Sequence, residues 1–296
     1  MMFNVVLQRL ILASGLLAAS LSGLAFAGSE NGGDRIVVAG GDLTEIMFAI
    51  GHGDRVAGVD TTSTFPEATA ELPQVGYMRR ISAEGVLSLA PSLVLAAHDA
   101  GPENALDQLR SAGVPVAIAP AGEDPDAVIR KIEFVGEAVG AKAEADALVQ
   151  SYSAELERVR AVVADLTATP KVLFILAWRD GAPLAAGSET SADAIIRAAA
   201  GQNVAEGFTG YKPLSQEALI ALAPDVIVMM SQHAERAGGL DEILQRPEIA
   251  RTPAGRNARL VDIDGVLLLG FGQRTPTAIA ELAARLHEDD PAVGRF

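Results

Sequence analysis

Short apolar runs rich in β-branched residues recur along the chain, separated by stretches whose apolar positions fall three and four apart. Arg35 to Ala39 reads as a strand that passes through Gly40-Gly41 into a helix beginning near Leu43, and Arg55 to Val59 reads as a second short strand. Leu93 to Ala97 and Val114 to Ile118 follow as further strands, each set off by helical pattern. From Asp124 to Leu166 the pattern is continuously helical with one break at Gly140, and Ala141 to Leu166 would extend about 39 Å at the standard rise per residue. The scheme then repeats, with strands predicted at Val172 to Leu176, Val226 to Met230 and Leu260 to Ile263, and a closing helix from about Thr275 to Leu286. Alternation of this kind marks mostly parallel α/β structure.

The duplication is also written in the residues. Ser82 to Leu95, SAEGVLSLAPSLVL, recurs as Ser215 to Val228, SQEALIALAPDVIV, and each copy follows a Gly-Tyr pair, Gly76-Tyr77 and Gly210-Tyr211. In each, Ser-x-Glu opens an amphipathic run, Ala-Pro ends it and a buried strand follows. The predicted fold is therefore α/β, with two Rossmann-like lobes of mostly parallel sheet, residues 28–140 and 167–296, joined by one long helix over 141–166. A single stiff connection permits small opening motions, so the cleft between the lobes should be largely preformed. Ligands of parallel sheets sit beyond the carboxyl ends of the strands, which directs attention to the loops after Leu95 and Val228 and to the two Gly-Tyr pairs.

The first 27 residues read as a cleavable export signal: Arg9 precedes an apolar core, Leu10 to Leu24, and Ala25-Phe26-Ala27 has the small-x-small form of a cleavage site. A core this short is poorly suited to a spanning anchor. The chain has no cysteine, which removes lipid attachment, disulfides and thiolate chemistry and suits an oxidising compartment, most simply a Gram-negative periplasm. A formal charge of −15 argues against nucleic acid or an anionic membrane as partner.

Enzyme signatures are weak. Ala39-Gly40-Gly41-Asp42 lacks the spacing of a nucleotide-binding turn, no Walker-type lysine motif or G-x-S-x-G elbow occurs, and four histidines scattered without cysteine make a poor metal cage. Asp42, Thr44 and Glu45 read as cap and first-turn residues, with the Gly40 and Gly41 amides open to an anion. Spacing alone leaves Tyr77 as a tyrosine packed at a loop mouth beside the solvated Arg79 and Arg80, and Tyr211 as one packed on Pro213. His98 and His233, just past two predicted strands, are candidate distal groups or solvated loop residues, whereas His52 between glycines reads as a turn residue.

The segments VAGGDLTEI (Val38 to Ile46), GVDTTSTFPEA (Gly58 to Ala68), LPQVGYMR (Leu72 to Arg79), SADAIIRAAAGQN (Ser191 to Asn203) and GYKPLSQEAL (Gly210 to Leu219) together resemble the periplasmic haem-binding proteins of bacterial haem ABC importers. Cobalamin- and siderophore-binding relatives share the Ser-x-Glu repeat, and a corrinoid or iron-siderophore carrier is the alternative; an exported α/β enzyme is a more distant one. The resemblance implies a carrier that performs no chemistry, receives haem by way of an outer-membrane receptor, and delivers it as a monomer to an inner-membrane permease and its ATPase. It implies that Tyr77 is the axial ligand of ferric haem, since phenolate is a hard donor suited to Fe(III). Arg79 would then hold the phenolate ionised, Arg80 and Lys212 would reach propionates, and Tyr211 would stack on or hydrogen-bond the macrocycle. Glu84 and Glu217 would dock against permease arginines, besides serving the helix starts in which they lie. Some relatives hold a second haem through a histidine near the segment that here reads AWRDGAPLAAG (Ala177 to Gly187); no histidine stands in it, so one haem is expected, with Trp178 and Arg179 as candidate cleft residues.

Overall fold

Strands β1 (Ile36–Ala39), β2 (Val56–Val59), β3 (Leu93–Ala96) and β4 (Val116–Ile118) form a sheet of order β2-β1-β3-β4 with every pair parallel. The computed structural model describes residues 34–296, so the export signal predicted over residues 1–27 lies outside the described residues. All of β1 is buried, as expected for a strand covered by helices on both faces. The second sheet contains β5 (Lys171–Arg179), β6 (Ala182–Ala186), β7 (Gln202–Asn203), β8 (Tyr211–Pro213), β9 (Val226–Met230) and β10 (Leu260–Ile263). Its order is β10-β9-β5-β6-β8, with β7 paired to the start of β5. The β5, β7, β9 and β10 pairings are parallel, whereas β6 and β8 are antiparallel additions.

The strand predicted to stop at Leu176 therefore continues to Arg179 and returns as β6. Asp180 and Gly181, with φ of 51° and 80°, form a two-residue turn whose positive φ values match the twist of the hairpin. This hairpin carries an antiparallel edge on which β8 is laid down, and that edge is what positions Tyr211.

Gly140 breaks the long helical segment as predicted. It sits at φ 71° as the left-handed cap of the helix Ala127–Val139, a conformation that costs glycine little. The strut follows as Lys142–Ala164, 23 residues and so about 35 Å. One apolar cluster includes Val38 in the first sheet, Ile46 in the helix that follows it, Ile132, Val159 on the strut, Phe174 and Val228 in the second sheet, and Leu282 in the helix Thr275–Leu286. The halves thus share packed core across the strut as well as a covalent connection, which favours small relative motions over a wide hinge.

The sequence repeat is a structural repeat. Ser82 caps the helix Ala83–Leu87 by accepting the Gly85 amide at 3.1 Å, and Ser215 caps Gln216–Leu222 by accepting the Ala218 amide at 3.1 Å. Each helix is followed by an alanine held at φ 46°, Ala90 and Ala223, directly before a proline.

Ionic contacts close the junction between the halves. Lys131, buried in the helix Ala127–Val139, donates to Asp42 Oδ2 at 2.6 Å and to the Phe271 carbonyl at 3.1 Å. Arg274 forks onto the buried Glu45, with Nε 2.9 Å from Oε2, while its guanidinium carbon lies 3.9 Å from the centroid of the Phe65 ring. Burial raises the Glu45 pKa despite the opposing Arg274 charge. Asp42 stands in the first turn of the helix Gly41–Ala49, as expected, and both it and Glu45, one turn further in, are also partners in a buried ionic junction.

Candidate functional site

The segment from Pro73 to Gly76 runs beside β2: Val59 donates its amide to the Pro73 carbonyl at 2.9 Å, and Val75 donates to Val59 O at 2.9 Å. Gly76, at φ 98°, then redirects the chain so that Tyr77 opens the short turn Met78–Arg80. Two neighbouring loops hold that turn. From the end of β2, Asp60 accepts the Met78 amide at 3.2 Å; from the end of β3, Gly101 donates to Met78 O at 2.8 Å and accepts from the Ile81 amide at 2.9 Å. The tyrosine accordingly sits beyond the carboxyl ends of parallel strands, where the topology places ligands.

Tyr77 is half-buried, and Arg79 Nη1 donates to its hydroxyl at 2.8 Å. Asp99 takes the other edge of the same guanidinium, accepting from Nε at 2.8 Å and from Nη2. Burial opposes the Arg79 charge, but Asp99 and then Tyr77 outweigh it and raise the Arg79 pKa. The arrangement is a cation aimed at a phenol oxygen. Arg80 is exposed and has no ion-pair partner among the described residues.

Tyr211 and Lys212 are exposed on edge strand β8, where Ala186 pairs with Tyr211 and Ala185 with Lys212. The surrounding protein limits solvation of the Tyr211 hydroxyl and pushes its pKa up to about 12; Glu123 adds to the rise and Arg79 opposes it. At neutral pH Tyr211 is therefore a proton donor. Lys212 Nζ lies 5.5 Å from the centroid of the Phe208 ring.

Other predicted positions separate from this group. The Gly40 and Gly41 amides are already occupied, by Asp60 Oδ1 and Thr62 Oγ1 at 3.1 Å each, and are not open to an anion. Trp178 packs against the core of the second half, with Arg246 4.3 Å from its ring centroid and its Nε1 donating to Glu248 at 3.4 Å. Arg179 is exposed at the hairpin end. His233 is half-buried with Nδ1 against the Leu176 carbonyl, while His98 is exposed, its Nδ1 4.0 Å from Asp99 Oδ1. His52 caps a turn, as expected. Glu84 and Glu217 are exposed in the first turns of the repeated helices; hydrogen bonds from its own amide and from Ser215 lower the Glu217 pKa, keeping it ionised. Sequence reasoning missed Asp99 and the role of Asp60, which stands in the GVDTTSTFPEA segment; both follow strands and gain their partners only through the loop packing.

The periplasmic binding protein family model matches residues 36–267. A periplasmic haem-binding protein of Roseiflexus sp. RS-1, in its apo form, is 42% identical with a TM-score of 0.84, over 87% of this chain and 99% of that one. A periplasmic haem-binding protein in complex with two haems is 41% identical with a TM-score of 0.84, over 88% of this chain and 100% of that one. An uncharacterized ABC transporter substrate-binding lipoprotein of Bacillus subtilis is 31% identical over 254 residues, 83% of this chain and 77% of the relative.

Proposed function

Because the chain belongs to the periplasmic binding protein family, whose members bind substrates for transport, we propose that it carries ferric haem in the cleft between its halves and delivers it to an inner-membrane ABC importer. The observation that carries this reading is the Tyr77 hydroxyl with Arg79 Nη1 at 2.8 Å, a phenol supplied with a fixed cation at a loop mouth. A free tyrosine titrates near 10, so coordination at neutral pH draws on both the guanidinium and the iron charge to hold the phenolate. Phenolate is a hard anionic donor and matches Fe(III).

The remaining cleft residues supply orientation. Arg80, exposed and without an ion-pair partner among the described residues, and Lys212 on β8 are the cations for the propionates. Tyr211, protonated at neutral pH, donates a hydrogen bond or stacks on the macrocycle and does not compete for the iron. One haem is proposed although a similar protein holds two, because no histidine stands in Ala177 to Gly187 and the Tyr211 phenol resists ionisation. No residue need perform chemistry on the ligand: the chain is a carrier, and turnover against ester and phosphate substrates should be nil.

We assign residues 34–140 and 167–296 to the two lobes and 141–166 to the connection. Export by the segment 1–27 would place a monomeric carrier in the periplasm, downstream of an outer-membrane haem receptor. Glu84 and Glu217, exposed at matching places in the repeat, would dock against permease arginines. The Glu84→Ala, Glu217→Ala double variant should bind haem as the parent does yet slow haem uptake in vesicles bearing the permease and ATPase; unchanged uptake would remove both from the docking surface.

A ferric haem titration of the chain from Gly28 tests the assignment of ligand. Saturation at one equivalent with a high-spin tyrosinate spectrum is expected. No specific complex would redirect the reading to a corrinoid or siderophore carrier, and saturation at two would overturn the stoichiometry.

A further inference from the structure

We infer that Asp99 is a positioning residue for haem coordination, acting through Arg79 to hold a hydrogen bond on the Tyr77 oxygen; this rests on Tyr77 as the iron ligand. The Arg79 side chain is 56% exposed. A long arginine in that setting samples many rotamers, and fixing one carries an entropy cost. Asp99, only 26% exposed, accepts from both Nε and Nη2 through the same oxygen, Oδ2, and so occupies one edge of the planar guanidinium. The remaining Nη1 is then directed at Tyr77 Oη, 2.8 Å away.

Asp99 is itself held. Its loop follows β3 and is stitched to the tyrosine turn by the Gly101 amide on Met78 O and the Ile81 amide on Gly101 O, at 2.8 and 2.9 Å. Phenol, guanidinium and carboxylate therefore belong to one hydrogen-bonded frame. His98 Nδ1 stands 4.0 Å from the second Asp99 oxygen, beyond hydrogen-bond reach, and adds no comparable restraint.

The carboxylate exerts two effects of opposite sign. Its charge offsets that of Arg79, whereas its grip delivers the Arg79 donor to the Tyr77 oxygen. At this exposure solvent and salt screen the charge effect, while the geometric restraint is unscreened. Removing Asp99 should then weaken the iron bond, the reverse of what charge alone predicts.

The test loads the mature protein and its variants with ferric haem, then follows haem loss to excess apomyoglobin and the tyrosinate-to-iron charge-transfer absorption. Asp99→Ala should speed haem loss by about tenfold, in line with outer-shell partners of metal ligands, and shift the charge-transfer band. Asp99→Asn, whose amide oxygen still accepts, should fall between the two. Asp99→Ala should add nothing in an Arg79→Ala or a Tyr77→Ala background. In the haem-free protein, the Arg79 Nε–H resonance should be protected from exchange and lose that protection in Asp99→Ala, a readout independent of loading. Unchanged or slower haem loss, or an effect undiminished without Arg79, would overturn the inference. A Tyr77→Ala protein with parental spectrum and loss rate would instead remove the ligand assignment itself, a result the Asp99 variants cannot produce.

Discussion

Tyr77→Ala is expected to lower ferric haem affinity by about two orders of magnitude and abolish the tyrosinate charge-transfer absorption. Outer-shell partners of a metal ligand typically account for ten- to hundredfold in affinity, and losing the ligand atom itself should reach at least the upper end of that range. Tyr211→Ala should cost about tenfold, because a phenol held protonated contributes a hydrogen bond or a stacked ring and no iron bond. Tyr77→Phe separates the two roles of the first residue: the ring remains, the oxygen is gone, and the spectrum should resemble that of Tyr77→Ala. Equal losses from Tyr77→Ala and Tyr211→Ala, read by competition with a haem-binding acceptor, would end the assignment of Tyr77 as the sole protein ligand.

The largest effect on stability should come from Lys131→Met. The substitution keeps helix propensity and volume but leaves Asp42 buried without a cation and the Phe271 carbonyl without its donor. Breaking a buried pair on one side costs about 3–5 kcal/mol, because an uncompensated charge stays in low dielectric. At about 2–4 °C per kcal/mol for a protein of this size, the melting temperature should fall by roughly 6–20 °C. Lys131→Met with Asp42→Leu should recover most of that loss, since an apolar replacement of both partners removes the stranded charge. A fall below about 1 kcal/mol in the single variant, measured by denaturant titration, would mean that water reaches the pair.

The second ionic pair of the junction follows different energetics. The raised Glu45 pKa means that ionising this carboxylate opposes folding: stability from its neutral form is fully present below the unfolded pKa and is lost as pH rises through the folded one. At neutral pH the contact with Arg274 offsets only part of the burial cost. Its contribution is better described as geometric, since Arg274 couples the helix Gly41–Ala49 to the loop that starts the helix Thr275–Leu286, and lies over Phe65 at the same time.

Much of the molecule is determined by local sequence, because its elements are specified by their own residues. The apolar runs of β1, β9 and β10, the closing helix Thr275–Leu286 and the break at Gly140 follow from periodicity and from the left-handed freedom of glycine. The Ser-x-Glu repeat foretells matching capped helices, since a serine side chain within reach of the next turn's amide is a local matter. The Asp180-Gly181 hairpin went unread, because Ala182 to Ala186 has little strand propensity and becomes strand only by pairing with β5 and β8. What only tertiary structure decides lies in contacts between residues far apart in the chain. Asp99 meets Arg79, Asp42 meets Lys131, Glu45 meets Arg274, and the amides of Gly40 and Gly41 are taken by Asp60 and Thr62. A carboxylate after a strand or in a first helical turn carries the same local signature whether it faces water or a buried cation, and the packing of the two halves selects between them.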